Sequence, residues 1–151
     1  MWRLIAECKP LDENSMYCNL LQCDHFADTC ILAEKGGEVV GWVSGYRVPD
    51  DRQTLFVWQV AVSPKARGES LGRRMLDALL ARGACRGVCR VQTTITDDNA
   101  ASWALFTRFA ERAGAKLDHE THFCRDRHFK GAHDTERMVT IRLPEAQRAA
   151  A

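Results

Sequence analysis

The segment with the clearest chemical content is a strand-to-helix junction, Gln59-Val60-Ala61-Val62-Ser63-Pro64-Lys65-Ala66-Arg67-Gly68-Glu69-Ser70-Leu71-Gly72-Arg73-Arg74. A buried strand that ends in an Arg/Gly turn and opens a helix presents several backbone N–H groups at one point. With the positive end of the helix dipole, those groups form a site for a pyrophosphate. Small residues let a phosphate approach the backbone, and Arg67 and Arg73 add charge at longer range. Taken alone, the turn fits a plain Gly-containing connection before a solvated basic helix face equally well. The other reactive side chains carry less. Seven cysteines, at 8, 18, 23, 30, 85, 89 and 124, form no CxxC pair and no zinc-finger spacing. Cys30 and Cys89 sit among apolar residues and read as small buried hydrophobes in a reduced protein. His119, His122, His128 and His133 are scattered through a polar stretch, so no metal is expected.

The elements that position this junction follow from hydrophobic period and breakers. Trp2 to Cys8 reads as a short helix stopped by Pro10. Asn14 or Ser15 caps a second helix carrying Met16, Leu20 and Leu21, with Phe26 beyond its end. Thr29–Glu34 and Glu38–Ser44 flank Lys35-Gly36-Gly37, a hairpin signal. After a polar turn around Pro49-Asp50-Asp51, Thr54–Val62 is apolar on both faces, as in a central strand covered on both sides. Leu71, Met75, Leu76, Leu79 and Leu80 recur at helical spacing up to Gly83. A strand over Val88–Ile95 precedes a helix that starts at Asp97, Asp98 or Asn99 and ends at Gly114. Two last strands, Lys116–Cys124 and Glu136–Leu143, enclose a polar loop containing Arg125-Asp126-Arg127-His128. The expected order is α-α-β-β-β-α-β-α-β-β, an α/β (α+β) fold with a mixed central sheet flanked by helices.

Size and charge narrow the function classes. The chain has 151 residues, 46% of them hydrophobic, with 21 basic and 20 acidic side chains and a formal charge of +1. That length fits one domain, here residues 1–143 with a tail over 144–151. A near-neutral balance argues against a nucleic-acid partner. The longest apolar run, Leu55 to Val62, is interrupted by Gln59 and falls well short of the roughly 20 residues that span a bilayer. The opening residues lack the layout of a secretion signal, so a cytoplasmic protein without membrane partners is expected.

With a strand, an Arg-x-x-[Gly]-x-Gly turn and a second helix opening at Asn99, the chain resembles the GCN5-related N-acetyltransferase superfamily over residues 58 to 106. The resemblance implies acetyl-coenzyme A as cosubstrate and a sheet splayed at the cofactor site. The pyrophosphate would lie on Arg67, Gly68, Glu69, Ser70, Leu71, Gly72 and Arg73, and the pantetheine arm beside Val60, Ala61 and Val62. Asn99, Ser102 and Phe106 would follow along the cofactor. Two positions depart from the pattern. Ser70 stands where a Gly is usual, which costs on the order of 1 kcal/mol if the backbone there is left-handed. Phe106 stands where many members place a Tyr that protonates the leaving thiolate. Members also carry a strand before the helix that begins here at Trp2, so one edge strand is expected to be absent or to lie upstream.

The strings Leu11-Asp12-Glu13-Asn14-Ser15-Met16-Tyr17-Cys18-Asn19-Leu20-Leu21-Gln22-Cys23, Asp24–Cys30, Thr54–Val62, Thr96–Ser102 and His128–Glu136 resemble the diaminobutyrate acetyltransferases, a family within that superfamily. The resemblance spans about residues 1 to 143 and implies γ-acetylation of L-2,4-diaminobutyrate on the route to ectoine, by a homodimer. It implies that Asp12, Tyr17, Trp58, His133 and Glu136 hold the diamino acid. Judged without it, Asp12 is equally a helix N-cap, Trp58 a core aromatic, and His133 with Glu136 a solvated loop pair. The chemistry is compatible: two ammonium groups and one carboxylate call for anions, an aromatic wall and a polar donor set. Glu136 is the first candidate and Asp12 the second for accepting the amine's proton before direct attack in a ternary complex. Two other readings stand beside this one. One is a superfamily member acting on another small amine or a peptide N-terminus, and the other is a catalytically weak acyl-coenzyme A binding module.

Overall fold

Tight turns and alternating apolar residues lay down the sheet first. The structure, a computed structural model, describes residues 1–9 and 11–144. Strands β1 (Ile31–Lys35) and β2 (Glu38–Val48) form a hairpin closed by Gly36 and Gly37, whose φ angles of 61° and 79° only glycine adopts readily. A second tight turn at Pro49-Asp50 leads into β3 (Asp51–Val62), which starts three residues before the expected Thr54. Asp51 already pairs with Val48, and its carboxylate accepts from Thr54 Oγ1 at 2.5 Å and Arg90 Nη2 at 2.6 Å. Strands β4 (Arg90–Thr96), β5 (Lys116–Phe123) and β6 (Glu136–Arg142) complete a six-stranded sheet in the order β1-β2-β3-β4-β6-β5.

Helices α1 (Trp2–Glu7), α2 (Met16–Asp24), α3 (Leu71–Leu80) and α4 (Ala100–Ala113) cover the sheet, and a short α5 (Arg125–Phe129) replaces the polar loop expected there. Each boundary has a local cause. Ser15 caps α2 by accepting from Cys18 N at 3.1 Å, and Asn99 caps α4 by accepting from Ser102 N at 3.1 Å. Gly114, left-handed at φ 59°, ends α4 as expected. Helix α3 stops at Leu80, before the expected Gly83, because Gly83–Cys85 already forms a separate 3-10 turn. Strand β4 correspondingly begins at Arg90 rather than Val88. Among the described residues no strand precedes α1; the stop assigned to Pro10, and residues 145–151 of the expected tail, lie outside the described residues.

The core is two-sided and unequal. On one face α3 and α4 bury Leu55, Val57, Leu76, Leu79, Phe106, Val139 and Ile141 in the larger cluster. A smaller cluster under α1 holds Leu4, Ile5, Trp42 and Ala61, with the thiols of Cys8 and Cys30. Each fully buried Leu or Ile stabilises the fold by roughly 1.5–3 kcal/mol. All seven cysteines are free, and burial pushes the Cys30 thiol up to about 11.

Two irregularities of this framework lie where the strands part and where α3 begins. Strands β3 and β4 are the parallel pair, and they bond only through Thr54–Arg90, Leu55–Val91 and Phe56–Gln92. Beyond Phe56 the strands part, β3 staying with β2 and β4 with β6. At that point one step on β2, Ser44 to Gly45, faces two steps on β3, Gln59 to Val57. Trp58 is the unpaired residue of this β-bulge, which bends β3 and increases its twist. The expectation that β3 is covered on both faces therefore fails beyond the bulge, and Trp58 is 45% exposed.

The second irregularity is Ser70, the N-cap of α3, with φ 53° and ψ 27° and no side-chain cap bond. A β-carbon in the left-handed region costs on the order of 1 kcal/mol. Ser70→Gly is expected to stabilise the protein by about 1 kcal/mol or a little less. Thermal melting should show this as a midpoint raised by roughly 2–4 °C; an unchanged or lowered midpoint would mean that the serine relieves its own strain.

Candidate active site

The parted strands open a cleft of about 770 Å³. One wall is the turn into α3, with Arg67, Gly68, Ser70, Leu71, Gly72 and Arg73; the floor is Val60 and Val62 of β3. The opposite wall is α4 with Asn99, Ala101, Ser102, Leu105, Arg108 and Arg112, and the end of α1 closes the cleft with Cys8, Lys9 and Leu11. The first-turn N–H groups of α3 have no intrahelical acceptors, and the Ser70 hydroxyl caps none of them. The two walls approach closely at Gly72: a β-carbon there would stand 3.3 Å from Leu105 Cδ1, so the Leu105 side chain would have to give by a few tenths of an ångström. Among the described residues, Lys9, Arg67, Arg73, Arg108 and Arg112 against the single acid Glu111 make the lining cationic, as a phosphate-bearing ligand needs.

Three residues assigned to this cleft from sequence turn their side chains elsewhere. Ala61 is fully buried on the opposite face of β3, packed with Leu4, Ile5 and Trp42, because alternation sends it away from Val60 and Val62. Glu69 turns outward to Lys35, with Oε1 2.7 Å from Nζ. Phe106 is in the main core, since α4 presents Ala101, Leu105, Arg108 and Arg112 to the cleft and the Phe106–Phe109–Ala110 face to the sheet. It brings no polar group to the cleft. The stripe of small and basic residues along α4 went unassigned in the sequence, although its spacing of three and four is visible there.

At the other end the site is acidic. Glu136, the first residue of β6, sits opposite Thr96 of β4, three residues before Asn99. Its side chain is 18% exposed; Oε1 lies 3.7 Å from His133 Nε2, and Oε2 is buried without a hydrogen-bond partner among the described residues. Burial raises its pKa, opposed by a hydrogen bond from Thr94 and the charge of His133 and reinforced by the charge of Asp12. His133 Nδ1 lies 2.8 Å from the Asp134 carbonyl, which leaves Nε2 toward the carboxylate. Asp12 directly follows the cleft-lining Leu11 and is not the cap of α2, a place taken by Ser15. Its carbonyl accepts from Gln59 Nε2 at 2.7 Å.

The structure thus brings Glu136, His133 and Asp12 into one neighbourhood beside the cleft. Tyr17, in the first turn of α2, and Trp58, at the bulge, are 70% and 45% exposed, and their polar atoms make no hydrogen bonds among the described residues. Large aromatics left open in this way are available as walls for a ligand. Cys8 lines the cleft, but burial raises its pKa and its thiol donates to the Val62 carbonyl at 3.5 Å, so it is no ready nucleophile. Among the described residues no group of three or more His, Cys, Asp or Glu side chains is placed to hold a metal ion. No helix among them is long and apolar enough to cross a membrane.

Comparison with known proteins agrees with this geometry. The model of the acetyltransferase (GNAT) family matches residues 1–110. The L-2,4-diaminobutyric acid acetyltransferase of Methylotuvimicrobium alcaliphilum is 52% identical over 139 residues, which is 92% of this chain and 81% of that protein. The same enzyme from Vibrio parahaemolyticus is 50% identical over 143 residues, 95% of this chain and 79% of that one. Among solved structures, diaminobutyrate acetyltransferase from Paenibacillus lautus, in complex with L-2,4-diaminobutyric acid and coenzyme A, superposes with a TM-score of 0.89 at 37% identity. That match covers 94% of this chain and 86% of the other.

The raised pKa of Glu136 carries a sign that stability measurements test. Its folded-state value lies above the ordinary 4.5, so the folded protein holds this proton more tightly than the unfolded chain does. The resulting stabilisation is complete below the unfolded value and is lost as the pH rises through the folded one. Glu136→Gln cannot ionise, so its melting temperature relative to the parent should rise on going from about pH 4 to about pH 7. A constant difference across that range would contradict the burial of this carboxylate.

Proposed function

The chain belongs to the acetyltransferase (GNAT) family and, within it, to the L-2,4-diaminobutyric acid acetyltransferases, and we infer that it transfers the acetyl group of acetyl-coenzyme A to the γ-amino group of L-2,4-diaminobutyrate. The observation that carries this reading to the residues is Glu136, a half-buried carboxylate with one oxygen unpartnered among the described residues, opposite Thr96 of β4 and beyond the last β3–β4 rung. An alkylammonium with a pKa near 10.4 is almost fully protonated at pH ~7 and must lose a proton before it attacks. Glu136 accepts that proton directly or through a water, and burial has already moved its affinity in the useful direction. Asp12 faces Glu136 as a second anion and counter-ion, Tyr17 and Trp58 form the wall, and His133 holds the Glu136 side of the pocket.

The acetyl donor lies in the cleft with its pyrophosphate on the turn of Arg67 to Arg73 and its pantetheine arm along β3. Beyond Phe56 that edge of β3 has no strand to bond, so its N–H and C=O groups face the ligand. One such N–H near Val60 meets the charge that develops on the carbonyl oxygen. The amine nitrogen bonds to the thioester carbon, the C–S bond breaks, and the thiolate takes a proton from water or from the substrate ammonium. With Phe106 in the core and the cleft-lining thiol of Cys8 hydrogen-bonded and buried, neither a tyrosine acid nor an acetyl-cysteine intermediate enters the scheme. In the same reading the product feeds ectoine synthesis in the cytoplasm, and the exposed Met16 and Leu20 of α2 belong to a homodimer, whose mass light scattering would report.

The deciding assay is coenzyme A release with L-2,4-diaminobutyrate, with ornithine, lysine and no amine as controls, and NMR of the product to show which nitrogen is acetylated. Selective γ-acetylation is expected, and Glu136→Gln should lower kcat by roughly 100-fold or more. Cofactor binding without turnover on any amine would instead identify an acyl-coenzyme A binding module.

A further inference from the structure

Gln59 is 5% exposed in the otherwise apolar Leu55–Val62 half of β3, and a buried amide must find partners. Both ends of its side chain go to one short loop, the segment between α1 and α2. Its Nε2 donates to the Asp12 carbonyl at 2.7 Å, and its Oε1 accepts from Asn14 Nδ2 at 2.9 Å. Nothing of this kind follows from simple alternation. In a regular strand Gln59 would share a face with Val57, which packs in the main core beneath α3 and α4. The bulge at Trp58 shifts the phase by one residue. Gln59 thereby turns to the α1–α2 side, and Val60 and Val62 return to the cleft.

We propose that Gln59 is a positioning residue: its two hydrogen bonds peg the Asp12 loop to the bulge of β3 and so set the distance between Asp12 and Glu136, the span against which the length of the diamino acid is read. This rests on diaminobutyrate being the substrate. Glu136 belongs to β6, on the other side of the parted sheet, and its place is independent of the loop. Asp12 lies on a segment without regular structure between α1 and α2 and is held to the sheet through Gln59. The same bulge that turns Gln59 leaves Trp58 unpaired, so the aromatic wall and the anion loop share one reference point. Loss of the peg would leave two partners unsatisfied, Asp12 O and Asn14 Nδ2, and release the loop while the cofactor cleft stays intact.

The test is steady-state kinetics of Gln59→Leu, of similar size, and Asn14→Ala, with acetyl-coenzyme A affinity and thermal melting measured on the same samples. For Gln59→Leu the KM for diaminobutyrate should rise about tenfold, the loss of about 1.4 kcal/mol of binding. Coenzyme affinity should stay within twofold, and the preference for diaminobutyrate over ornithine, as a ratio of kcat/KM, should narrow. Asn14→Ala should move KM in the same direction, and the double variant should be little worse than the worse single one, as expected of groups acting through one contact. A KM and an ornithine ratio unchanged in both variants, with only the melting point lowered, would overturn the proposal and leave Gln59 a purely structural residue. Should Gln59→Leu fail to fold, Asn14→Ala decides the matter by the same two readouts. If the parent itself does not acetylate diaminobutyrate, the substrate reading has failed, an outcome separate from an unaltered KM in an active parent.

Discussion

Three rungs of parallel pairing between β3 and β4 are the constraint on which the rest depends. A sheet that continued its ladder to Val62 would be closed, with its hydrogen bonds satisfied strand to strand. Because the ladder stops at Phe56, the two halves of the sheet diverge, and a bulge at Trp58 makes the divergence permanent by adding twist where the pairing has ended. The cleft, the open edge of β3 and the separation of the cationic from the acidic end all follow from that one break. Large hydrophobic residues beneath α3 and α4 hold the halves together below it, so the opening does not propagate into the core.

Electrostatics then divide the opened space. The turn into α3 and the outer face of α4 supply arginines around unpaired helix N–H groups, whereas the β6 end supplies a carboxylate in partial burial facing a second one. In the proposed reading a coenzyme carrying phosphates and a substrate carrying ammonium groups would be sorted to opposite ends by sign, and the reacting atoms would meet along β3 between them. His133, with Nε2 3.7 Å from Glu136 Oε1, opposes the effect of burial on that carboxylate.

Much of this was legible in the sequence, for identifiable reasons. The α3 stripe of Leu71, Met75, Leu76 and Leu79, the Gly36-Gly37 hairpin and the Asn99 and Gly114 ends of α4 are local signals, and local signals survive folding. The turn from Arg67 to Arg73, which lines the cleft, is a local signal of the same kind. What local pattern does not contain is phase. Val57-Trp58-Gln59-Val60 gives no sign of a bulge, because the unpaired residue is defined by its neighbour β2 and not by its own type. That loss of phase hid the exposure of Trp58 and the role of Gln59, though a lone amide in an apolar strand was the available clue. Phe106 was misplaced for a related reason: spacing along α4 from Asn99 was followed, rather than the face on which the residue falls. The short α5 was missed because its five residues carry no apolar stripe to mark a helix.

The broken ladder also makes the bound cofactor a member of the architecture. A molecule seated between α3 and α4, with its arm along the free edge of β3, bridges two half-sheets that share only three rungs of their own. Any ligand that binds the folded form alone adds to its stability by mass action, by about 2.7 kcal/mol at a hundredfold excess over Kd. In the proposed reading the folded form is therefore more stable the more acyl carrier is at hand, on top of the core that already joins the two halves.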